Sequence, residues 1–450
     1  MKRARETRRR LGLVVVLVLG GAAGARGITL DAALARTLAH NPQIAQARAA
    51  VEEATGERLL FHARALPNLE INLPTGVQGG DRAGQDANEP FAFVEADLQQ
   101  PIFDAAISAS SRRGDLAVLI ATQRLNVAIV TRLHAARIAF YTALHDRALE
   151  QFGRSQQRRL DENRRSEEAR YAAGAVTRGA LASATLQARE LDPQIEEAHR
   201  AFGAAQLELA TALGANLEAT AQLPSPDGQL TFAPVEFSLD KATAAALERR
   251  ADLRLARLLL QATREDERIA ASGSLPRLEF TLLGRYIPEA GLREANSGTS
   301  QRADDIITSE ISPGLGYTWR VLDNGEVGGA VLRARALREI NALRLRQLER
   351  SVGRELAALQ NNLRAIAARH ASLLQAVEVA EKNVAAVEQS WQQGLASQLE
   401  FRTAETGLLA TRRGLLDATY AQNVARAEWD RATGRYFQFA NASPKQAKGR

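Results

Sequence analysis

The chain carries one 44-residue plan twice, and this duplication limits the folds it can adopt. Shifting Leu30–Leu73 by 209 positions places it on Leu239–Leu282 without a gap. Such a constant offset indicates an internal repeat. In each copy a segment with helical periodicity runs to a Leu-Pro pair, after which apolar and polar residues alternate. Each copy therefore predicts a long helix that leads into a two-faced strand. The identical pairs include Leu30/Leu239, Asp31/Asp240, Ala47/Ala256, Arg48/Arg257, Leu66/Leu275, Pro67/Pro276 and Glu70/Glu279.

The duplication continues through the rest of the chain at a second offset of 220 positions. The extra residues of the second copy fall in its loop 288–305. The matches predict a first repeat over 26–214, a Pro-rich linker over 215–237, a second repeat over 238–434 and a disordered basic tail over 435–450. The pairs at the second offset are Gly174/Gly394, Thr177/Ser397, Ala184/Ala404, Ala212/Ala432 and Gly214/Gly434.

Residues 1–25 are predicted to be an export signal peptide. Basic residues precede the apolar run Leu11–Leu19, and Ala23-Gly24-Ala25 is an A-x-A cleavage site. The apolar run is too short to span a bilayer. The segment carries six basic residues and one Glu, so its removal lowers the formal net charge from +6 to +1. No basic patch then remains to favour a nucleic acid partner.

Composition excludes several kinds of site. The chain has no Cys, which rules out disulfides, thiolate metal ligands, cysteine nucleophiles and a lipid anchor on Cys. No catalytic constellation is visible, so we predict neither enzymatic activity nor a cofactor. No other apolar run has the length of a transmembrane helix, and membrane insertion is therefore expected only as a β-barrel. Metal-ligand spacing is also missing from the six His residues, His40, His62, His134, His145, His199 and His370.

Each repeat is predicted to contain two strands. The second strand carries acidic residues, such as Glu95 and Asp97, on one face and apolar residues on the other. This pattern suits a barrel with a wet lumen, but a sheet packed on a soluble core alternates in the same way. The predicted strands are Leu69–Val77 and Phe91–Ile102 around a solvated loop 79–88, and Leu278–Ile287 and Ile306–Leu322 around the loop 288–305.

Each strand pair is followed by a long helical hairpin. The segment 105–172 contains no Pro, and a helix of this length would extend on the order of 100 Å, which suits a coiled coil or tube. A second long helix is expected over 326–391. The returning helices should end at Gly214 and Gly434, with a kink at Pro193 in the first. The second repeat is expected to open with one helix over 239–274.

In their order along the chain, these motifs resemble the TolC-type outer-membrane efflux family, or outer-membrane factors, over nearly the whole mature length. The resemblance implies a mainly α fold with a membrane β part. It implies a homotrimer with a twelve-stranded β-barrel among outer-membrane lipids and an α-helical tunnel in the periplasm, meeting a periplasmic adaptor and an inner-membrane transporter. The motifs are Leu30-Asp31, Asn41-Pro42, the entries Leu66-Pro67 and Leu275-Pro276, the exits 100–104 and 320–323, and two Gly-x-x-Thr/Ser turns.

The resemblance also implies site residues. Glu400 and Thr403 are the candidate aperture positions, although Ser397-x-x-Glu400 is equally a capping box, and both roles stay open. Aromatic residues occur near the strand ends, and they could form membrane-interface girdles or simply pack in the fold. They are Phe91, Phe93, Phe103, Tyr317 and Trp319. The adaptor is expected to dock on the two hairpin turns, Gly174, Ala175, Val176 and Thr177 in the first and Gly394, Leu395, Ala396 and Ser397 in the second.

The predicted function is a passive exit duct of a tripartite efflux or type I secretion system, for small molecules or polypeptide. Four strands are too few to close a pore, since barrels begin at about eight strands, so the chain oligomerises or is not a barrel. The alternative is a soluble periplasmic coiled-coil adaptor or scaffold. An adaptor would carry one helical hairpin flanked by β-domains, whereas this sequence predicts two hairpins, each preceded by a strand pair.

Overall fold

The computed structural model describes residues 27–82, 85–215, 222–235, 238–286 and 309–436. The predicted signal peptide, the loop 288–305 and residues 437–450 of the predicted tail lie outside the described residues. The predicted start of the disordered tail at residue 435 is wrong, because residues 435 and 436 belong to the described structure. Tyr436 is buried, and it packs against Leu34, Ile44 and Leu133 of the first repeat.

The strands form one four-stranded antiparallel sheet and a separate hairpin. The sheet has the order β1-β4-β5-β6, and the hairpin joins β2 to β3. The prediction of a solvated loop over 79–88 is wrong, because backbone pairing between β2 and β3 needs no apolar side chains. The strands are β1 (Asn68–Asn72), β2 (Thr75–Arg82), β3 (Gln85–Ala92), β4 (Val94–Phe103), β5 (Arg277–Tyr286) and β6 (Ser309–Thr318).

The predicted strand Leu69–Val77 is divided at Leu73-Pro74, because Pro74 has no amide hydrogen to donate to a ladder. Its carbonyl accepts a hydrogen bond from the Phe93 amide at 3.3 Å, and β4 begins one residue later. The interruptions at Pro74 and at Phe93 separate the four-stranded sheet from the hairpin. At the other side of the sheet, β6 ends at Thr318, four residues before the predicted Leu322.

The long helices are confirmed. They span 68 and 67 residues and lie at the positions that the sequence indicates. The first repeat contains α1 (Leu30–His40), α2 (Pro42–Ala63), α3 (Ala105–Ala172), α4 (Arg178–Glu190) and α5 (Asp192–Ala212). The second contains α6 (Leu239–Arg249), α7 (Ala251–Ser272), α8 (Glu326–Gln392) and α9 (Gln398–Ala432).

Two helix interruptions differ in how well the sequence marks them. The expected kink is present between α4 and α5, where Pro193 occupies the first turn of α5. The prediction of a single helix over 239–274 is wrong, because the chain breaks at Arg250, which has an extended ψ of 127°. No Pro marks this break. The Arg250 side chain is buried and pairs with Asp252 and with Glu355 on α8. Only folding brings Arg250 and Glu355 together.

Near the sheet, four helices form a layer in the same order as the strands. The contacts run from α2 to α3, from α3 to α7 and from α7 to α8. This follows from connectivity, because α2 leads into β1, β4 into α3, α7 into β5, and β6 into α8. Ion pairs link the inner helices, with Arg112 and Arg113 of α3 bound to Glu265 and Asp266 of α7. In this layer, and among the described residues, the outer helices α2 and α8 each have a neighbour on one side only.

Away from the sheet, the core is divided between the two repeats. One cluster packs Phe140 and Leu144 of α3 against Leu209 of α5. A second packs Leu356 of α8 against Trp429 of α9. Contacts between α3 and α9 join the repeats. The core therefore extends along the helices as a series of small clusters, which agrees with the helical hairpins expected from the sequence.

Each repeat ends with its last turn packed against its own helix break. A Cβ atom added to Gly214 would lie 2.5 Å from the His40 carbonyl oxygen, at the junction of α1 and α2. A Cβ atom added to Gly434 would lie 3.0 Å from the Cβ atom of Arg249, at the junction of α6 and α7. The two repeats thus close in the same way, as the paired glycines at an offset of 220 indicate.

One described helix contradicts the expectation that no further apolar run has transmembrane length. A window of 18 residues in α3 is long and apolar enough to cross a membrane, by length and composition only. Within the chain, 39% of that window is buried, and α3 packs against α2, α5 and α7. The core helix of a soluble protein passes the same test, so the window is no argument that α3 crosses a bilayer.

Candidate functional site

The four-stranded sheet has one apolar and one acidic face. Register places Leu69 beside Leu98, Leu98 beside Leu282 and Leu282 beside Pro313, all on the apolar face. The side chains one position along each strand lie on the opposite face. There Glu70 is beside Asp97, and Arg285 lies between Glu95 and Glu310. Leu69, Ile71, Ile311 and Leu315 are all exposed, so the apolar face is uncovered in the single chain.

The predicted aromatic residues gather at the two ends of this sheet. Phe103, Tyr317 and Trp319 lie at the end nearest the helices, and all three are exposed. The Trp319 indole donates a hydrogen bond to the Ser274 carbonyl at 3.2 Å. At the far end, the Arg285 guanidinium lies 5.1 Å from the ring centre of Phe93, while the side chain of Phe91 lies outside the described residues. Sequence reasoning missed Tyr286, an exposed aromatic residue at the far end of β5.

The two hairpin turns have the same backbone structure. Gly174 and Gly394 both have positive φ, 73° and 75°. Thr177 and Ser397 follow as N-caps, and their side chains accept hydrogen bonds from the Ala180 and Glu400 amides at 3.3 and 3.2 Å. The repeated spacing of Gly and a hydroxyl residue therefore encodes one turn used twice.

The side chains on the two turns differ. Leu395 is 79% exposed and Leu399 is 74% exposed on the second turn. At the offset of 220, the first turn has Ala175 and Gly179 in their place. Val176, the larger apolar residue of the first turn, is half-buried. The predicted docking residues thus form a more apolar surface on the second turn, and Leu399 belongs to it although the sequence analysis did not select it.

Glu400 caps helix α9. Its carboxylate accepts a hydrogen bond from the Ser397 amide at 2.6 Å, which completes a reciprocal capping box. Hydrogen bonds from the Ser397 backbone and side chain hold the pKa of Glu400 below its ordinary value. The Thr403 hydroxyl donates to the Leu399 carbonyl at 2.8 Å and is exposed. The capping role is therefore present, and the carboxylate remains exposed to solvent, as an aperture role also requires.

Sequence reasoning missed two polar contacts between the hairpins near their turns. The Arg402 guanidinium donates to the Ser183 hydroxyl at 3.1 Å, and Arg159 of α3 pairs with Glu405 of α9. Ser183 is the residue at the offset of 220 from Thr403, but nothing in the sequence couples it to Arg402. These contacts lie in the same part of the molecule as the candidate aperture.

A row of polar contacts, which we call the repeat seam, joins α3 of the first repeat to α9 of the second. The two helices are antiparallel, so from one end of the seam to the other the residue numbers of the contact partners rise along α3 and fall along α9. The distances are 3.0 Å from His134 to Glu428, 2.7 Å from Arg137 to Asp430, 2.9 Å from Thr142 to Tyr420 and 2.9 Å from His145 to Asp417, and Arg159 also pairs with Glu405.

The two His residues of the repeat seam have opposite pKa shifts. Burial lowers the pKa of His134 in spite of the nearby Glu428 carboxylate. Burial opposes protonation of His145 too, but hydrogen bonds to Asp146 and Asp417 outweigh it and raise its pKa. The expectation that each of these histidines is a solvated or core residue is consistent with this arrangement. Within the described residues, no group of His, Asp and Glu has an arrangement that could hold a metal ion.

Comparison with known proteins relates the second repeat to a described family. Residues 243–435 match the model of the family described as outer membrane efflux protein. This part of the chain is therefore similar to that family. A search among curated proteins finds no match for the sequence. The description of the matched family places its members in the outer membrane and gives them a role in efflux.

Solved structures show the same fold. The outer membrane protein VceC from Vibrio cholerae is 17% identical, with a TM-score of 0.75 over 90% of this chain and 96% of that chain. The CmeC outer membrane channel of Campylobacter jejuni is 14% identical, with a TM-score of 0.77 over 90% and 85%. CusC is 17% identical, with a TM-score of 0.76 over 90% and 92%. At these identities the likeness concerns the fold.

Proposed function

We propose that this protein is the exit duct of a tripartite efflux or type I secretion system. Three copies close a twelve-stranded barrel in the outer membrane and continue it as a helical tunnel in the periplasm. An inner-membrane transporter supplies the exported compound through a periplasmic adaptor. The proposal rests on one observation: within the described residues, the four-stranded sheet has two unpaired edges, and the helical layer beside it also has two uncovered sides.

The open edges explain why one copy is incomplete. Among the described strands, β1 and β6 each have a pairing partner on one side only, so each leaves a row of backbone donors and acceptors unpaired. Helices α2 and α8 lie below these edges, and exposed leucines Leu59, Leu60, Leu332 and Leu343 occur on them. Pairing β6 of one copy with β1 of the next satisfies both edges, and this head-to-tail contact generates a ring.

The same sheet has the dimensions and faces of a membrane barrel. Ten residues of β4 extend about 30 Å along the strand, or about 22 Å across the bilayer at a tilt of 45°. An apolar band about 25 Å tall with aromatic residues at both boundaries is typical of such barrels. The apolar face would contact lipid, with Phe103, Tyr317 and Trp319 at one boundary and Tyr286 at the other, whereas Phe93 lies beside Arg285 of the acidic face. The acidic face would line the lumen.

The hairpin turns lie at the end of the molecule opposite the barrel. The second turn, with Leu395 and Leu399 exposed, supports docking of an adaptor there, and six turns per trimer would add weak contacts as avidity. Glu400 and Thr403 lie just beyond this turn and are the proposed lining of the aperture. The proposed repeat boundaries remain 26–214 and 238–434, joined by the linker 215–237. The soluble adaptor alternative is abandoned, since each of the two hairpins is joined to strands of one sheet.

Directed disulfides test the ring, because the native chain has no Cys. We would place one Cys at Leu69 on β1 and one at Tyr317 on β6, two exposed positions near the helix end of the sheet. The double variant should give a covalent trimer on a non-reducing gel. Each single variant is a matched control and should stay monomeric, because a head-to-tail ring never brings two copies of one edge together. A covalent dimer from Leu69→Cys alone would refute the ring, as would a monomer of the mature protein by light scattering in detergent.

A further inference from the structure

The repeat seam contains an arrangement that duct formation alone does not explain. His145 lies between two carboxylates that belong to different helices. Its Nδ1 atom is 2.9 Å from Asp146 on its own helix, and its Nε2 atom is 2.9 Å from Asp417 on α9. The ring stacks on Tyr420 with 4.5 Å between ring centres, and the Tyr420 hydroxyl bonds Thr142. The imidazole and its surroundings are thus fixed by both repeats.

The protonation state of His145 decides whether both contacts are attractive. A protonated imidazole has two N–H donors, one for each carboxylate. A neutral imidazole has one, so its other nitrogen presents a lone pair to a carboxylate oxygen. Loss of the proton also removes the positive charge that lies between two negative groups on different helices. The link between α3 and α9 then weakens, because one ring nitrogen has no proton to donate and the two carboxylates repel each other.

We propose that the repeat seam is a proton-operated latch, in which protonated His145 holds α9 against α3 and loss of the proton loosens the second hairpin from the first. The groups that face His145 are Asp146 on α3 and Asp417 and Tyr420 on α9. The neighbouring Arg147 points elsewhere, to the carbonyls of Pro226 and Gly228 in the linker. The consequence for opening of the duct rests on the proposed function, but the latch itself is a property of one chain.

The direction of the pH dependence follows from the raised pKa. A group that binds its proton more tightly in the folded state stabilises that state below its unfolded pKa, and this contribution is lost as pH rises through the folded pKa. The His145 contact should therefore be strong in mildly acidic solution and weak in alkaline solution. His134, whose pKa is lowered by burial, acts in the opposite direction and weakens the seam only when acidification protonates it. Of these two histidines, His145 is the one whose deprotonation loosens the seam on the alkaline side.

Hydrogen exchange of the full-length trimer in detergent measures the latch directly. Amide protection, corrected for the intrinsic effect of pH, should fall about tenfold between about pH 6 and pH 9 in α9 segments around Asp417. His145→Gln, which bonds but carries no charge, should have the low protection at both pH values. His145→Lys, whose charge persists to an ordinary pKa of about 10.4, should abolish the alkaline loss. Asp417→Asn is a further variant at a half-exposed position, and it should also abolish the pH dependence.

His199→Gln is the matched control. His199 also contacts a carboxylate, Glu150 at 2.9 Å, but both residues belong to the first repeat. This variant should retain the full pH dependence of α9. Retention of that dependence in His145→Gln, His145→Lys and Asp417→Asn would overturn the latch, and so would equal protection of the wild type at both pH values. Neither result would affect the disulfide test of the ring, so the two proposals fail separately.

Discussion

Replacing Gly214 with Ala should destabilise the protein more than the same change at Gly174 or Gly434. All three glycines follow a helix and have φ between 69° and 74°. An Ala in this left-handed conformation costs roughly 1 kcal/mol. That cost is common to the three sites, so any difference between them reports the surroundings of the added methyl group.

The surroundings differ in a graded way. At Gly214 the added Cβ would meet three backbone atoms of His40 and Asn41 at 2.5 to 2.8 Å, closer than real Cβ atoms pack. That backbone cannot easily retreat, because the Asn41 side chain donates to the Ala212 carbonyl at 3.0 Å and also caps α2. Overpacking costs about 1–3 kcal/mol and loss of a cap about 1 kcal/mol. With the conformational cost, Gly214→Ala should lose about 3–5 kcal/mol.

The other two sites calibrate the measurement. Nothing lies within 4 Å of a Cβ atom added at Gly174, so that variant should lose roughly 1 kcal/mol. At Gly434 the nearest atoms are at 3.0 to 3.2 Å, and an intermediate loss of about 2 kcal/mol is expected. Apparent melting of the detergent-solubilised trimer, followed by tryptophan fluorescence at one fixed scan rate, gives the ranking. Equal shifts for Gly214→Ala and Gly174→Ala would refute the close approach between α5 and the α1–α2 junction.

Two further predictions concern the hairpin turns. Glu400→Gln keeps a hydrogen-bond acceptor for the cap but removes the charge. If Glu400 lines the aperture, the single-channel conductance and the cation preference should change while the melting temperature changes little. A change in the melting temperature alone would leave Glu400 as a cap. Leu395→Asp combined with Val176→Asp should leave the trimer and its melting intact, abolish in-cell cross-linking to the cognate adaptor and raise sensitivity to the exported compound. Full cross-linking and export in that double variant would move the adaptor contact from the turns to the sides of the helices.

Local patterns in the sequence determine the elements of this protein. The paired offsets of 209 and 220, the Leu-Pro entries and the Gly-x-x-Thr/Ser turns predict two repeats, two long hairpins and two strands in each repeat. These features need only neighbouring residues, since periodicity, caps and positive φ are set within a few positions. The capping box at Ser397 and Glu400 could be found for the same reason. The hairpin β2–β3 was missed because its Gly, Asp and Asn residues are typical of loops, while its stabilising contacts lie in the backbone.

The tertiary structure decided how these elements meet. His145 and Asp417 are separated by 272 positions, and neither side chain has a local pattern that selects the other. The same holds for Arg402 and Ser183, and for the buried Arg250 that breaks the second copy of the opening helix without a Pro. Such contacts depend on the register of long helices, in which a rotation of one residue directs a side chain to another face. The sequence by itself therefore determined the repeated elements, and only packing between the repeats created the seam, because charges distant in the chain interact once folding places their helices side by side.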